Sequence, residues 1–177
     1  MQEPQPHLET ERLLLRPFHP DDAAHVALLA GDKRIADVTA CIPHPYSNDM
    51  AVEWILTHPD GWSKRESAVF AVVLKDEGLL IGFVSLMNIA DKCAELGYWI
   101  GVEYWNQGCC TEACRRIVEF GFSILKLHRI VAHHMIRNPA SGRVLCKAGF
   151  VHVGSGEAVC GYRQLNEGIE VYEILKR

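Results

Sequence analysis

Residues 94–120 read AELGYWIGVEYWNQGCCTEACRRIVEF and change period in the middle. Through Ile100 the stretch has the character of a strand, with Glu95, Gly97 and Trp99 facing one way and Leu96, Tyr98 and Ile100 the other. From Cys110 onward, positions 110, 113, 114, 117, 118, 121, 124 and 125 are apolar at helical spacing, while Glu112, Arg115, Arg116, Glu119 and Ser123 take the opposite face. The chain therefore passes from strand to amphipathic helix through a turn at Gly108. Gly97 stands out within the strand, because a glycine there marks a bulge or a place where another backbone or a ligand comes close.

Such a turn presents unpaired amides. Those of Gly108, Cys109, Cys110 and Thr111, at the positive end of the helix dipole, form a site for an anion such as a pyrophosphate. An ordinary strand-to-helix turn would read the same way from this stretch alone, and the segment is neither a Walker A motif nor G-x-G-x-x-G.

Working outward, RLLLRPF (12–18) reads as a strand and HPDDAAHVALLAG (19–31) as a helix opened by Pro20 and two acids and stopped by Gly31. Ser47 caps a second helix that stops before Pro59. Residues 67–89 give two apolar strands joined at KDEG, the turn chemistry of a hairpin. On the other side RIVAHHM (129–135) is a strand, Asn138 an N-cap, Pro139 the first helical position and Gly149 a stop. FVHVG (150–154) and GIEVYEIL (168–175) add two strands. Strands followed by a strand–helix–strand–helix unit imply a mixed, mostly antiparallel α/β sheet with helices on its faces.

Composition limits the function classes. With 177 residues, 49% of them hydrophobic and 23% charged, the chain reads as a single domain spanning 1–177. A chain of this size buries roughly 70% of its unfolded surface and needs no disulfide or metal staple. A net charge of −4 argues against nucleic acid as a partner. There is no long apolar run for a membrane and no secretory leader pattern at the start, so a cytoplasmic protein is expected. The seven cysteines (Cys41, Cys93, Cys109, Cys110, Cys114, Cys146 and Cys160) contain no C-x-x-C pair and read as reduced thiols behaving mostly as small buried hydrophobes, with no metal site. His133 and His134 point to opposite faces of a strand, which disfavours joint metal binding; with His128 they are read as structural.

TERLLLRPFHPDDA (10–23), ELGYWIGVEYWNQGCCTEACRRIVEFGF (95–122) and LHRIVAHHMIRNPASGRVLCKAGF (127–150), in that order, resemble the GNAT acetyltransferases, in particular the RimJ/RimL-type N-acetyltransferases, from about Leu8 to the C-terminus. The resemblance implies the GNAT fold, a sheet splayed at the cofactor site, with acetyl-CoA as co-substrate and no metal. The family's R/Q-x-x-G-x-G/A segment matches WNQGCC (105–110), with Trp105 where Arg or Gln is usual, Gln107 nearby, and Cys110 where Gly or Ala is usual. The pantetheine arm is then expected beside Trp99, Ile100 and Val102, the pyrophosphate at Gln107, Gly108, Cys109, Cys110 and Thr111, and Asn138 against the arm. Gly97 would supply a bulge or splay where the thioester approaches.

The implied reaction is acetyl transfer to a primary amine, either a protein N-terminus or a small molecule. An α-amine with a pKa near ~8 needs only modest help from a base, and Glu95 is the candidate. Many GNAT enzymes place an acidic tyrosine seven residues after the Asn138 position, where Leu145 stands here, and the resemblance to RimL-like enzymes points instead to Ser141. A RimL-like glutamate maps to Cys160, with Glu157 a weak substitute. The backbone N–H near Ile100 is expected to hold the oxyanion. Tyr46, Trp54 and Trp62 either shape the acceptor pocket or fill the core. Two alternatives stand beside the enzyme: a non-catalytic acetyl-CoA-binding sensor, and a redox protein using Cys109 at the helix N-terminus. A monomer or homodimer is expected.

Overall fold

The structure, a computed structural model, describes residues 4–160 and 165–176. Strands β1 (Leu8–Glu9) and β2 (Leu13–Arg16) lead into helices α1 (Ala23–Ala30), α2 (Lys33–Ala36), α3 (Asn48–Leu56) and α4 (His58–Ser63). The long strands β3 (Ala68–Leu74), β4 (Leu79–Ala90) and β5 (Cys93–Ile100) follow, then α5 (Cys109–Ser123), β6 (Arg129–Met135), α6 (Pro139–Lys147), β7 (Val151–Cys160) and β8 (Leu165–Leu175). All eight strands form one sheet in the order β1-β2-β3-β4-β5-β6-β8-β7. Among the described residues every adjacent pair is antiparallel except β5 and β6. The mixed, mostly antiparallel sheet read from the sequence is the one observed.

Local chemistry explains the element ends. Ser47 Oγ accepts the Met50 amide at 3.2 Å and opens α3 as expected, while Gly78, at φ +63°, closes the β3–β4 hairpin. Helix α3 ends at Leu56, before Pro59 as expected, and Pro59 itself lies in the first turn of α4, which begins straight after Thr57, because proline lacks only an N–H that a first turn leaves unpaired. Asn138 occupies the N-cap of α6 but its side chain makes no capping hydrogen bond.

Two apolar cores lie on opposite faces of the sheet. One joins Leu13, Phe70, Leu86, Leu96, Ile100, Cys114, Ile117, Phe120 and Leu145 beneath α5 and α6, and the other joins Val26, Ile35, Ile55, Val73 and Trp99 beneath α1 to α3. The alternation along β5 thus sends Leu96 and Ile100 to one core and Trp99 to the other.

Pairing between β5 and β6 covers only Cys93↔Arg129, Ala94↔Ile130 and Glu95↔Val131, after which the strands part. The splay begins just before Gly97. Gly97 itself pairs with Ser85 without a register shift, and the irregularity in β4 falls between Met87 and Ala90, so the expected bulge is not at Gly97. A Cβ there would lie 2.7 Å from Met87 Cε and 3.1 Å from Ser85 Oγ, so a larger residue would have to displace the end of the Met87 side chain.

Candidate active site

Where β5 leaves β6, its backbone is open on one side. Gly101 N–H bonds Ile81 O at 2.8 Å, and with the antiparallel register Gly82↔Ile100 this turns the backbone groups of Glu95, Gly97 and Trp99 toward β4 and those of Tyr98 and Ile100 toward the gap. The indole N–H of Trp105 donates to Ile100 O at 2.7 Å from that gap side, as the register requires. Among the described residues, Ile100 N–H and both backbone groups of Tyr98 have no hydrogen-bond partner.

The loop after β5 ends in the amide turn. Gly108 has φ +82° and is the N-cap of α5; its carbonyl accepts from Glu112, and no described residue accepts from the amides of Cys110 and Thr111. The N-terminal segment holds this turn in place. Glu112 Oε1 receives Thr10 Oγ1 at 2.6 Å and Arg12 N–H at 3.0 Å, Oε2 receives Arg12 Nε at 2.8 Å, and Arg12 Nη1 donates to Gln107 O at 2.9 Å. Thr10 and Arg12 of the first stretch thus brace the start of α5.

A cavity of about 330 Å³ runs through the gap. Gly108, Cys110 and Thr111 line one end, Tyr98, Trp99 and Ile100 its floor, Asn138 and Ser141 the α6 side, and Val38 and Thr39 the far wall. Seven of the expected residues (Trp99, Ile100, Gly108, Cys110, Thr111, Asn138 and Ser141) are thus brought together. Arg143 and Lys147, one helical turn apart, supply positive charge to the same cavity.

Four expected residues do not line it. Val102 packs against the core under α1 to α3, and Gln107 turns its side chain back to Glu103 O at 2.9 Å. Cys109 is 2% exposed with its side chain in the core under α5, and burial pushes its thiol above the ordinary value, so the low-pKa thiol that a redox protein requires is not there. Of the other described cysteines, Cys114 is buried, Cys93 and Cys110 half-buried, and Cys41 and Cys146 exposed.

Glu95, the fourth, lies at the apex of the splay with Oε1 3.0 Å from His133 Nδ1 and Oε2 3.1 Å from Asn88 Nδ2. The hydrogen bond from His133, with that from Asn88, holds the Glu95 carboxyl below its usual value against partial burial, and Glu95 in turn raises His133. His133 is therefore the partner of Glu95, and like Glu95 it does not line the cavity. His134 points to the opposite face and is buried, as the alternation requires.

Sequence reasoning missed Tyr98. Its hydroxyl oxygen is 2.7 Å from Ser141 Oγ and 3.3 Å from Ser141 O. Leu145 is fully buried, so nothing at that position reaches the cavity. Glu157 is exposed on β7, and the Cys160 side chain lies outside the described residues. Trp54 packs on Phe18, His58 and Phe83, Trp62 stacks on Phe120, and Tyr46 borders the second core, so all three make packing contacts.

Comparison with known proteins matches residues 12–151 to the acetyltransferase (GNAT) domain model. A putative ribosomal N-acetyltransferase of Bacillus subtilis, YdaF, is 28% identical over 173 residues, 94% of this chain and 93% of the relative. The ribosomal protein uS5 alanine N-acetyltransferase of Escherichia coli is 26% identical over 163 residues, covering 85% of this chain and 81% of that one. Among solved structures, the ribosomal-protein α-N-acetyltransferase RimL in complex with coenzyme A superimposes with a TM-score of 0.85 at 14% identity, over 96% of this chain and 98% of that chain.

Proposed function

The chain belongs to the GNAT acetyltransferase family and is an N-acetyltransferase, and from that premise we propose that it moves the acetyl group of acetyl-CoA to a protein N-terminal α-amine. The observation that carries the reading is the continuous cavity joining the open edge of β5 to the free amides at Gly108, Cys110 and Thr111. Its parts fit the donor: a backbone edge for the amide-bearing arm, an amide turn for the pyrophosphate, and Arg143 and Lys147 for further anionic charge. Names of the relatives favour a ribosomal-protein terminus as acceptor.

Bound acetyl-CoA would supply an activated thioester. The chain's own groups do the rest: Ile100 N–H stabilises the negative charge that develops on the acetyl oxygen, and the Glu95–His133 pair takes the proton released by the attacking amine. A carboxyl held below its usual value is a poor match to an amine near pKa ~8, whereas an imidazole raised by that carboxylate is a better one, so Glu95 acts with His133 rather than alone. Ser141 Oγ offers a hydrogen bond to the departing sulfur and Asn138 contacts the arm.

Mass-spectrometric detection of transfer from isotope-labelled acetyl-CoA to peptides beginning with Ser, Ala or Met, polyamines and aminoglycosides tests this. A labelled peptide supports the protein-terminus reading; a labelled polyamine or aminoglycoside replaces it with a small-molecule acceptor. Tight acetyl-CoA binding with no product anywhere in the panel would favour the sensor.

A further inference from the structure

Tyr98 is used twice at the cavity. Its backbone is turned to the gap by the β4–β5 register, while its side chain crosses beneath α6 to bring Oη 2.7 Å from Ser141 Oγ. Ser141 has no other side-chain hydrogen bond among the described residues, and both side chains line the cavity. Resting on the acetyltransferase reading above, we propose that Tyr98 is a positioning residue which donates its phenolic hydrogen to Ser141 Oγ and so leaves the serine's own hydrogen for the departing sulfur.

Either hydroxyl can donate across the 2.7 Å contact, and the direction assigned is phenol to serine. One phenolic hydrogen can serve either Ser141 Oγ at 2.7 Å or Ser141 O at 3.3 Å, and the shorter contact is at the mode for O–H···O bonds while the longer one is beyond it. Ser141 O belongs to the first turn of α6, where it is already available to the helix's own amides. Burial raises the Tyr98 phenol well above its ordinary value, so it stays protonated and keeps a hydrogen to donate. A free serine hydroxyl rotates among several partners, whereas one whose oxygen already accepts a hydrogen bond has its hydrogen restricted to the remaining directions.

No proton need leave either oxygen. As the C–N bond forms and the C–S bond breaks, the electron pair stays on sulfur, which the Ser141 O–H stabilises as an acceptor until water protonates the thiolate. Tyr98 touches none of the reacting atoms and acts only through Ser141.

Steady-state kinetics of the native chain, Tyr98→Phe, Ser141→Ala and the double variant on the best peptide acceptor test this, with calorimetric acetyl-CoA affinity and thermal midpoints alongside. Phenylalanine keeps the buried ring, so folding and cofactor affinity should be unchanged. We expect kcat of Tyr98→Phe to fall about tenfold, the scale of one good hydrogen bond, with KM for acetyl-CoA unaltered. The double variant should be no slower than Ser141→Ala alone. An unchanged kcat for Tyr98→Phe, or independent losses that multiply in the double variant, would overturn the assignment while leaving the acetyltransferase reading intact. No transfer by the native chain would overturn both.

Discussion

Glu95 and His133 meet at 3.0 Å across the line where β5 and β6 part, a contact that ties the two strands together at the apex of the cleft. Since the Glu95 carboxylate raises His133, Glu95→Gln should return the imidazole toward its ordinary value. Turnover should fall, and the acid limb of the kcat/KM profile should move to lower pH with cofactor binding intact. A profile that matched the native one would place the base elsewhere. The pair also has a stability signature. The raised His133 contributes below about 6.5 and loses that contribution as pH rises through its folded value; the lowered Glu95 contributes above about 4.5 and loses it as pH falls. Both contributions are complete only in the mildly acidic window between.

His58 works in the opposite direction in that window. It is 8% exposed, caged by Phe18 and Trp54 at ring distances of 5.3 and 4.4 Å, and neither ring nitrogen has a hydrogen-bond partner among the described residues. Burial lowers its pKa from 6.5 to about 4, so the unfolded chain binds the proton more readily and stability falls as pH drops from 6.5 to 4. The loss amounts to about 3 kcal/mol at the acid end. His58→Phe should keep the aromatic packing, remove two unpaired polar atoms and flatten denaturant midpoints between pH 7 and 4. An equally steep acid loss in the variant would show that other groups govern it.

Trp105→Phe tests the loop that closes the cavity. The indole N–H is the only described donor to Ile100 O, and Trp105 is 39% exposed, so little packing is lost with the ring change. The variant should lose about 1 kcal/mol of stability. Weakened acetyl-CoA binding should follow, because the same bond orients the strand end that offers Ile100 N–H. Native affinity by calorimetry would show that the loop holds itself without the tryptophan.

Gly108→Trp addresses the amide turn. Gly108 has φ +82°, a conformation that costs a residue with a Cβ about 1–2 kcal/mol, and the new atom would come 3.3 Å from Arg12 Nη2. A bulky group there should abolish acetyl-CoA binding while shifting the thermal midpoint by only a few degrees. Unchanged affinity would sink the assignment of the turn to the pyrophosphate.

What could be read from the sequence divides along physical lines. The β3–β4 hairpin, the Ser47 cap and α5 are each set by neighbours within a few residues, and period and turn chemistry found them. Helix α2, four residues long, is too short for any periodicity to register, and α4 was not read because a proline that follows one helix and a proline that opens the next look the same. The amide turn was legible for the same local reason. By contrast, Glu95 with His133 and Tyr98 with Ser141 are joined only by sheet register and helix docking across long sequence separations. The same tertiary effects withdrew Val102, Gln107 and the Cys109 side chain from the cavity.

Gly142→Ala asks whether the position of α6 sets the reaction. In a helix interior this change ordinarily stabilises by about 1 kcal/mol. Here the added Cβ would lie 2.6 Å from His134 Nε2 and 3.0 Å from Tyr172 Oη. The imidazole cannot retreat, being 7% exposed with Nδ1 bonded to Met135 O at 2.8 Å, so the helix must lift instead. Overpacking of this kind costs about 1–3 kcal/mol and should cancel or outweigh the helical gain. Lifting α6 displaces the adjacent Ser141 from Tyr98, so kcat should fall although neither residue is altered. Adding His134→Ala opens space for the methyl group and should restore kcat even as it lowers stability through the cavity it leaves. A Gly142→Ala protein that is both more stable and fully active would show that the sheet yields there and that the seat of α6 does not control the serine.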